Sequence, residues 1–132
     1  MHPIHSKQWV DFEGNDVFRI NHGYVDYQNE FASSAVLVTD YSSVFFDCSI
    51  LGRPIIFYMY DLEEYAGELR GFYLSLDELP GPIVRDEDAL IKEIRAADSW
   101  TADEAYKNFV RKYNPYEDGD SARRVLARVI ER

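Results

Sequence analysis

The stretch Val36-Leu37-Val38-Thr39-Asp40-Tyr41-Ser42-Ser43-Val44-Phe45-Phe46-Asp47-Cys48-Ser49-Ile50-Leu51 changes its hydrophobic period part-way along, and that change decides the fold. Its first four residues are continuously apolar or β-branched, the pattern of a parallel strand buried on both sides. From Ser43 onward Val44, Phe45, Cys48 and Leu51 recur at three- and four-residue spacing, which predicts a helix, and Gly52-Arg53-Pro54 stops it. Ile55 to Tyr58 reads as a second buried strand. Continuously apolar strands that alternate with helices predict a layered α/β fold with a mainly parallel sheet, whose ligands bind at strand C-terminal ends.

The flanks fit the same alternation. Upstream, Val17-Phe18-Arg19-Ile20 reads as a short strand closed by Asn21-His22-Gly23, and Tyr27, Phe31 and Ala35 mark a helical face from Tyr27 to Ser34. Downstream, Asp61 to Pro82 reads as a long surface excursion with one helical turn at Leu62 to Tyr65, followed by a short strand at Ile83-Val84. Asp86 then caps a helix through Ala97 with Leu90, Ile91 and Ile94 inward. Thr101-x-x-Glu104 is a capping-box pattern opening a helix to Tyr113, Asn114-Pro115 ends it, and Ser121 to Ile130 forms the last helix.

The whole is read as one domain of 132 residues, with 46% hydrophobic residues to build a core. Fourteen Lys and Arg against 24 Asp and Glu leave a net charge of −10, which repels nucleic acid and anionic lipid, and no local basic patch offsets it. The single Cys48 excludes a disulfide framework and a Cys-rich zinc site, and points to a reducing compartment. Nothing near it in sequence lowers its pKa, so it is read as core and not as a nucleophile. No apolar run approaches the roughly 18 residues of a spanning helix. The opening Met1-His2-Pro3-Ile4 reads as the interior of a longer protein.

The junction after Thr39-Asp40 brings free backbone N–H groups and the hydroxyls of Ser42 and Ser43 to one helix N-terminus, a phosphate site in the making. Ser43 and Asp47, four apart, share a helix face, so the carboxylate can take a ribose while the serines hold phosphate. The same residue types are also preferred helix caps. Spacing alone favours simple capping by Asp40 or Ser42 with Asp47 solvated, and both readings stand at this point. His2 suits hydrogen bonding or protonation of a phosphoryl oxygen, or an exposed turn. His5 and His22 give no metal-ligand spacing with it, so no metal is assigned. Arg70 fits a phosphate clamp or an exposed pair with Glu68. The aromatic run Phe57 to Tyr73 fits stacking on a base or cover for the sheet. A Gly-rich dinucleotide fingerprint, a GxxxxGK[ST] loop and a GxSxG elbow are all missing, which removes dehydrogenase, P-loop and α/β-hydrolase readings.

In six ordered blocks the chain resembles the CDP-glycerol glycerophosphotransferases, which build or prime teichoic acid and related capsular polymers in bacteria. The blocks are His2-Pro3, Val36 to Asp47, Arg53-Pro54-Ile55-Ile56-Phe57-Tyr58, Asp61-Leu62-Glu63-Glu64-Tyr65 with Arg70-Gly71-Phe72-Tyr73, Pro80-Gly81-Pro82-Ile83, and Asp118-Gly119. The resemblance implies a Rossmann-like parallel sheet with flanking helices, the C-terminal, donor-binding half of a two-domain GT-B-type transferase. It implies CDP-glycerol as donor, with no cofactor or metal required. A polyol-phosphate or lipid-linked acceptor would come through an N-terminal half, and its hydroxyl would attack the β-phosphate and expel CMP. Position by position, it implies His2 at the transferring phosphate, Ser42 and Ser43 on the pyrophosphate, Asp47 on the ribose, Thr39 and Asp40 shaping the loop, and Arg70 near the phosphates. It also implies a cytoplasmic enzyme at the inner face of the membrane, with the 132 residues binding donor without turning it over. Two alternatives are a GT-B glycosyltransferase domain using a nucleotide sugar, and a non-catalytic acidic interaction module.

Overall fold

The computed structural model describes residues 14–20, 24–68 and 74–130. The chain divides into two compact units, Met1–Ser33 and Ser34–Arg132.

In the first unit the strand expected at Val17 to Ile20 does not form. Asn15 Oδ1 accepts the N–H groups of Val17 and Phe18 at 2.8 and 3.0 Å, and Asn15 N–H donates to the Phe18 carbonyl at 2.9 Å. A side-chain acceptor thus takes the donors a sheet ladder would use and folds the segment into a turn. The expected helix is present as α1 (Tyr27–Ser33), its first turn held by Asp26 Oδ1, which accepts from Gln28 and Asn29 at 3.1 and 3.3 Å.

The second unit runs β1 (Leu37–Thr39), α2 (Val44–Ile50), β2 (Ile55–Tyr58), α3 (Leu62–Glu68), a 3-10 turn (Leu76–Glu78), β3 (Ile83–Val84), α4 (Glu87–Ala96), α5 (Glu104–Tyr113) and α6 (Ser121–Ile130). The strands lie in the order β1-β2-β3, all parallel, with Leu37 opposite Ile55 and Phe57 opposite Ile83. This is the Rossmann-like sheet with flanking helices expected of the sequence. Ile55, Ile56 and Phe57 are 1, 2 and 0% exposed, so the central strand β2 is covered on both faces. Phe45 of α2 meets Phe57 edge-on at 5.1 Å, and Phe109 of α5 lies 5.8 Å from Phe45, making one aromatic column from sheet to outer helix. Each such ring contributes about 2–3 kcal/mol by burial, with roughly 1 kcal/mol more per well-oriented pair.

Polar bonds then lock α2 to α5. The Tyr106 hydroxyl lies 2.9 Å from the Arg53 carbonyl and 3.1 Å from that of Ser49, and burial pushes its pKa up to about 12, so it remains a donor. Asn114 Nδ2 donates to the Phe46 carbonyl and to Ser49 Oγ, both at 3.1 Å, and Ser49 is wholly buried. Gly52, with φ +63°, takes the left-handed position that closes α2.

Four local expectations are corrected. β1 is not buried on both sides: Val38 is exposed, and among the described residues β2 alone pairs with this strand. The excursion after Asp61 holds the seven-residue helix α3 and a 3-10 turn, more than one helical turn. Ile91 and Ile94 of α4 are exposed and not inward, although α4 packs against β2. The cap of α5 is Asp103, whose carboxylate accepts the Tyr106 N–H at 2.8 Å; Thr101 lies two residues too early.

Candidate functional site

The turn between β1 and α2 stands at the C-terminal end of the sheet, where the strand's last carbonyls and the helix's first N–H groups meet. Asp40 Oδ1 accepts the Ser42 N–H at 3.1 Å, an Asx turn that bends the chain out of β1. Ser42 Oγ accepts the Val44 N–H at 3.5 Å, a long bond for a cap. Ser43, the residue before α2, makes no side-chain cap bond, and it is exposed. Asp47 lies one turn further along the same face, also exposed. Thr39 ends β1 opposite Phe57, half-buried. Capping therefore occupies Ser42, weakly, while Asp40 is taken up by the Asx turn before the helix. It occupies neither Ser43 nor Asp47, whose side chains have no hydrogen-bond or ion-pair partner among the described residues. The structure thus brings Thr39, Asp40, Ser42, Ser43 and Asp47 together on one turn and the start of one helix. His2 and Arg70 lie outside the described residues.

One group at this end was not read from the sequence. Tyr41 sits between Asp40 and Ser42 and reaches across to α3: its hydroxyl donates to Asp61 Oδ1 at 2.8 Å, and its ring stacks on Tyr65 at 3.6 Å with planes 7° apart. Burial, and then the Asp61 bond, hold the Tyr41 hydroxyl far above the usual tyrosine range. The available signal was an aromatic residue inside an otherwise polar turn. Asp61 and Tyr65, four apart, supplied the matching helix face.

Two clefts lined by described residues lie away from this turn. One of about 220 Å³ is lined by Leu79 to Pro82, Trp100, Asp103, Ala105 and Tyr106, beside the start of β2. Another of about 180 Å³ lies between the 3-10 turn and α5, where Lys112 pairs with Glu78 at 2.7 Å. In the first Asp103 caps α5, and in the second Glu78 accepts both Lys112 and the Tyr113 hydroxyl, so these charged groups are engaged, unlike Asp47. Among the described residues, no cluster of three His, Cys, Asp or Glu is placed to hold a metal, and no helix is long and apolar enough to cross a membrane.

A parallel sheet whose first crossover gathers hydroxyls, N–H groups and a carboxylate at its C-terminal end is an α/β domain with polar groups at the end where sheets of this kind take their ligands. The chain belongs to the CDP-glycerol:poly(glycerophosphate) glycerophosphotransferase family, whose model matches residues 1–131. It is 41% identical over 122 residues to the teichoic acid glycerol-phosphate transferase of Staphylococcus aureus (strain NCTC 8325 / PS 47), covering 90% of this chain and 31% of that protein. It is 36% identical over 126 residues to the teichoic acid ribitol-phosphate primase of Bacillus spizizenii, covering 95% of this chain and 32% of that one. Among solved structures it is similar to the wall teichoic acid polymerase TagF, with TM-score 0.79 and 34% identity over 95% of this chain and 31% of that chain. A TagF variant soaked with CDPG also matches, with TM-score 0.70 and 36% identity over 79% of this chain and 26% of that one. The chain spans about a third of the length of the first two relatives.

Proposed function

We propose that residues 1–132 form the donor-binding domain of a glycerophosphotransferase that moves glycerol phosphate from CDP-glycerol to a teichoic-acid-type acceptor and releases CMP. Ser42 and Ser43, with the N–H groups that open α2, hold the diphosphate. Asp47 accepts hydrogen bonds from the cytidine ribose, while Thr39 and Asp40 set the loop. By family resemblance His2 attends the transferring phosphate and Arg70 lies near the phosphates. An acceptor hydroxyl attacks the β-phosphorus, the bond to the CMP oxygen breaks, and the site's task is to position the groups and spread the phosphoryl charge over fixed donors. The acceptor enters through the part of the full-length protein that this chain does not span, and the whole works at the inner face of the membrane.

The observation that carries the reading is the pair Ser43 and Asp47, adjacent on one helix face and without partners among the described residues. A helix that needed only a cap would engage the residue at its N-cap. Titration of the chain with CDP-glycerol, CDP and CMP, followed by NMR, is expected to move the amide signals of residues 39 to 47. Combined Ser42→Ala and Ser43→Ala is expected to weaken CDP-glycerol about tenfold or more, since a hydrogen bond to a charged group contributes roughly 1.5–3 kcal/mol. Asp47→Ala is expected to weaken CDP-glycerol while leaving inorganic pyrophosphate unchanged. A flat titration from a well-dispersed spectrum would sink the proposal, and tighter binding of UDP- or GDP-sugars would transfer it to a nucleotide-sugar donor.

A further inference from the structure

We infer that Asp61 is a positioning residue for this site: by accepting the Tyr41 hydroxyl it fixes the turn that presents Ser42 and Ser43. The inference rests on the donor-site reading above.

The turn has little to hold it from within. It is four residues long, with one Asx bond and one long Ser42 bond, and it opens a seven-residue helix whose N-cap side chain does no capping. So short a helix has small intrinsic stability, and its start is free to fray unless something outside pins it. That external hold is Tyr41. Its hydroxyl bond to a carboxylate is charge-assisted, and its ring lies flat on Tyr65. Both contacts come from one rigid piece, because Tyr65 N–H donates to the Asp61 carbonyl at 2.9 Å in the first turn of α3. The register places the turn after β1 and the turn after β2 side by side, since Thr39 is opposite Phe57. The Tyr41–Asp61 bond therefore bridges neighbouring loops at the ligand end of the sheet. A hydroxyl this far above the usual tyrosine range stays protonated at neutral pH, so the bond persists.

The test compares dissociation constants of CDP-glycerol for the whole chain and for Tyr41→Phe, Asp61→Ala, Asp61→Asn and Tyr41→Phe/Asp61→Ala, each first shown to be folded by its amide spectrum. Tyr41→Phe and Asp61→Ala are each expected to weaken binding about tenfold, and the double variant no more than either alone, because both remove one shared bond. Asp61→Asn keeps an acceptor oxygen and is expected within about threefold of the unsubstituted chain. Tyr106→Phe, which destabilises the far α2–α5 contact, is expected to leave affinity unchanged. This separates positioning from general stability. Unsubstituted binding that Ser43→Ala weakens while Tyr41→Phe and Asp61→Ala do not would overturn the inference and leave the donor site standing. Absence of binding by the unsubstituted chain would overturn both.

Discussion

Gly81→Ala is expected to lower the stability of the domain by about 3 kcal/mol or more, measured as a fall in the urea midpoint. A Cβ on Gly81 would overlap the carbonyl oxygen of Ile55 and lie 2.9 Å from its carbonyl carbon. Those atoms are backbone, in the first residue of the central strand, and cannot rotate away as a side-chain tip would. Pro80 and Pro82 on either side fix φ at both neighbours, which limits how far the segment can back off. The Pro82 carbonyl accepts the Phe57 N–H at 2.9 Å, so any retreat also strains the β2–β3 ladder. Gly52→Ala is the contrasting case: φ is +63° but nothing lies within 4 Å, so only the left-handed backbone penalty of about 1–2 kcal/mol applies. Equal midpoints for the two variants would refute the close-approach account.

Phe57→Ala is expected to cost about 4 kcal/mol, within the range for truncating a buried aromatic. Phe57 is fully buried and sits where β1, β3 and α2 converge: its register partners are Thr39 and Ile83, and Phe45 meets it edge-on. Removing the ring leaves a cavity in a strand hydrogen-bonded to a neighbour on each side, which lets the surroundings relax only in part. Against a typical total of roughly 5–15 kcal/mol, that removes between about a quarter and most of the stability. Calorimetry provides the check, with exposed Tyr60→Ala, expected within about 0.5 kcal/mol of the parent, as the reference. A loss below about 1.5 kcal/mol for Phe57→Ala would mean that the aromatic column is not the centre of the core.

The sheet was legible in the sequence wherever burial repeated at a clean period. Ile55 to Tyr58 is continuously apolar because both its faces are covered, and Val44, Phe45 and Cys48 keep helical spacing because α2 lies on the sheet. What failed was local pattern without tertiary context. Val17 to Ile20 has strand composition, but Asn15 claims its donors, and Thr101-x-x-Glu104 has the letters of a capping box while Asp103 occupies the cap. Val38 reads as buried because composition does not show how far each face of a strand is covered. At the site, spacing could not separate capping from ligand binding. That distinction depends on which hydroxyl points at which N–H: Asp40 and Ser42 each accept one, while Ser43 and Asp47 stand exposed. The Tyr41–Asp61 bond spans 20 residues, beyond the reach of any periodicity.

The one thiol of the chain has a practical consequence. Cys48 is 1% exposed on α2, and burial raises its pKa, so neither access nor thiolate is available in the closed state. An alkylating reagent must wait for the α2 layer to lift from β2 and α5. Its rate of incorporation therefore measures how often that layer opens, residue-specifically and under native conditions, with no label to engineer and no second cysteine to confuse the readout. If the proposed donor binds at the start of the same helix, the same thiol reports it: occupancy that holds α2 down slows the chemistry at Cys48, and the slowing titrates with ligand.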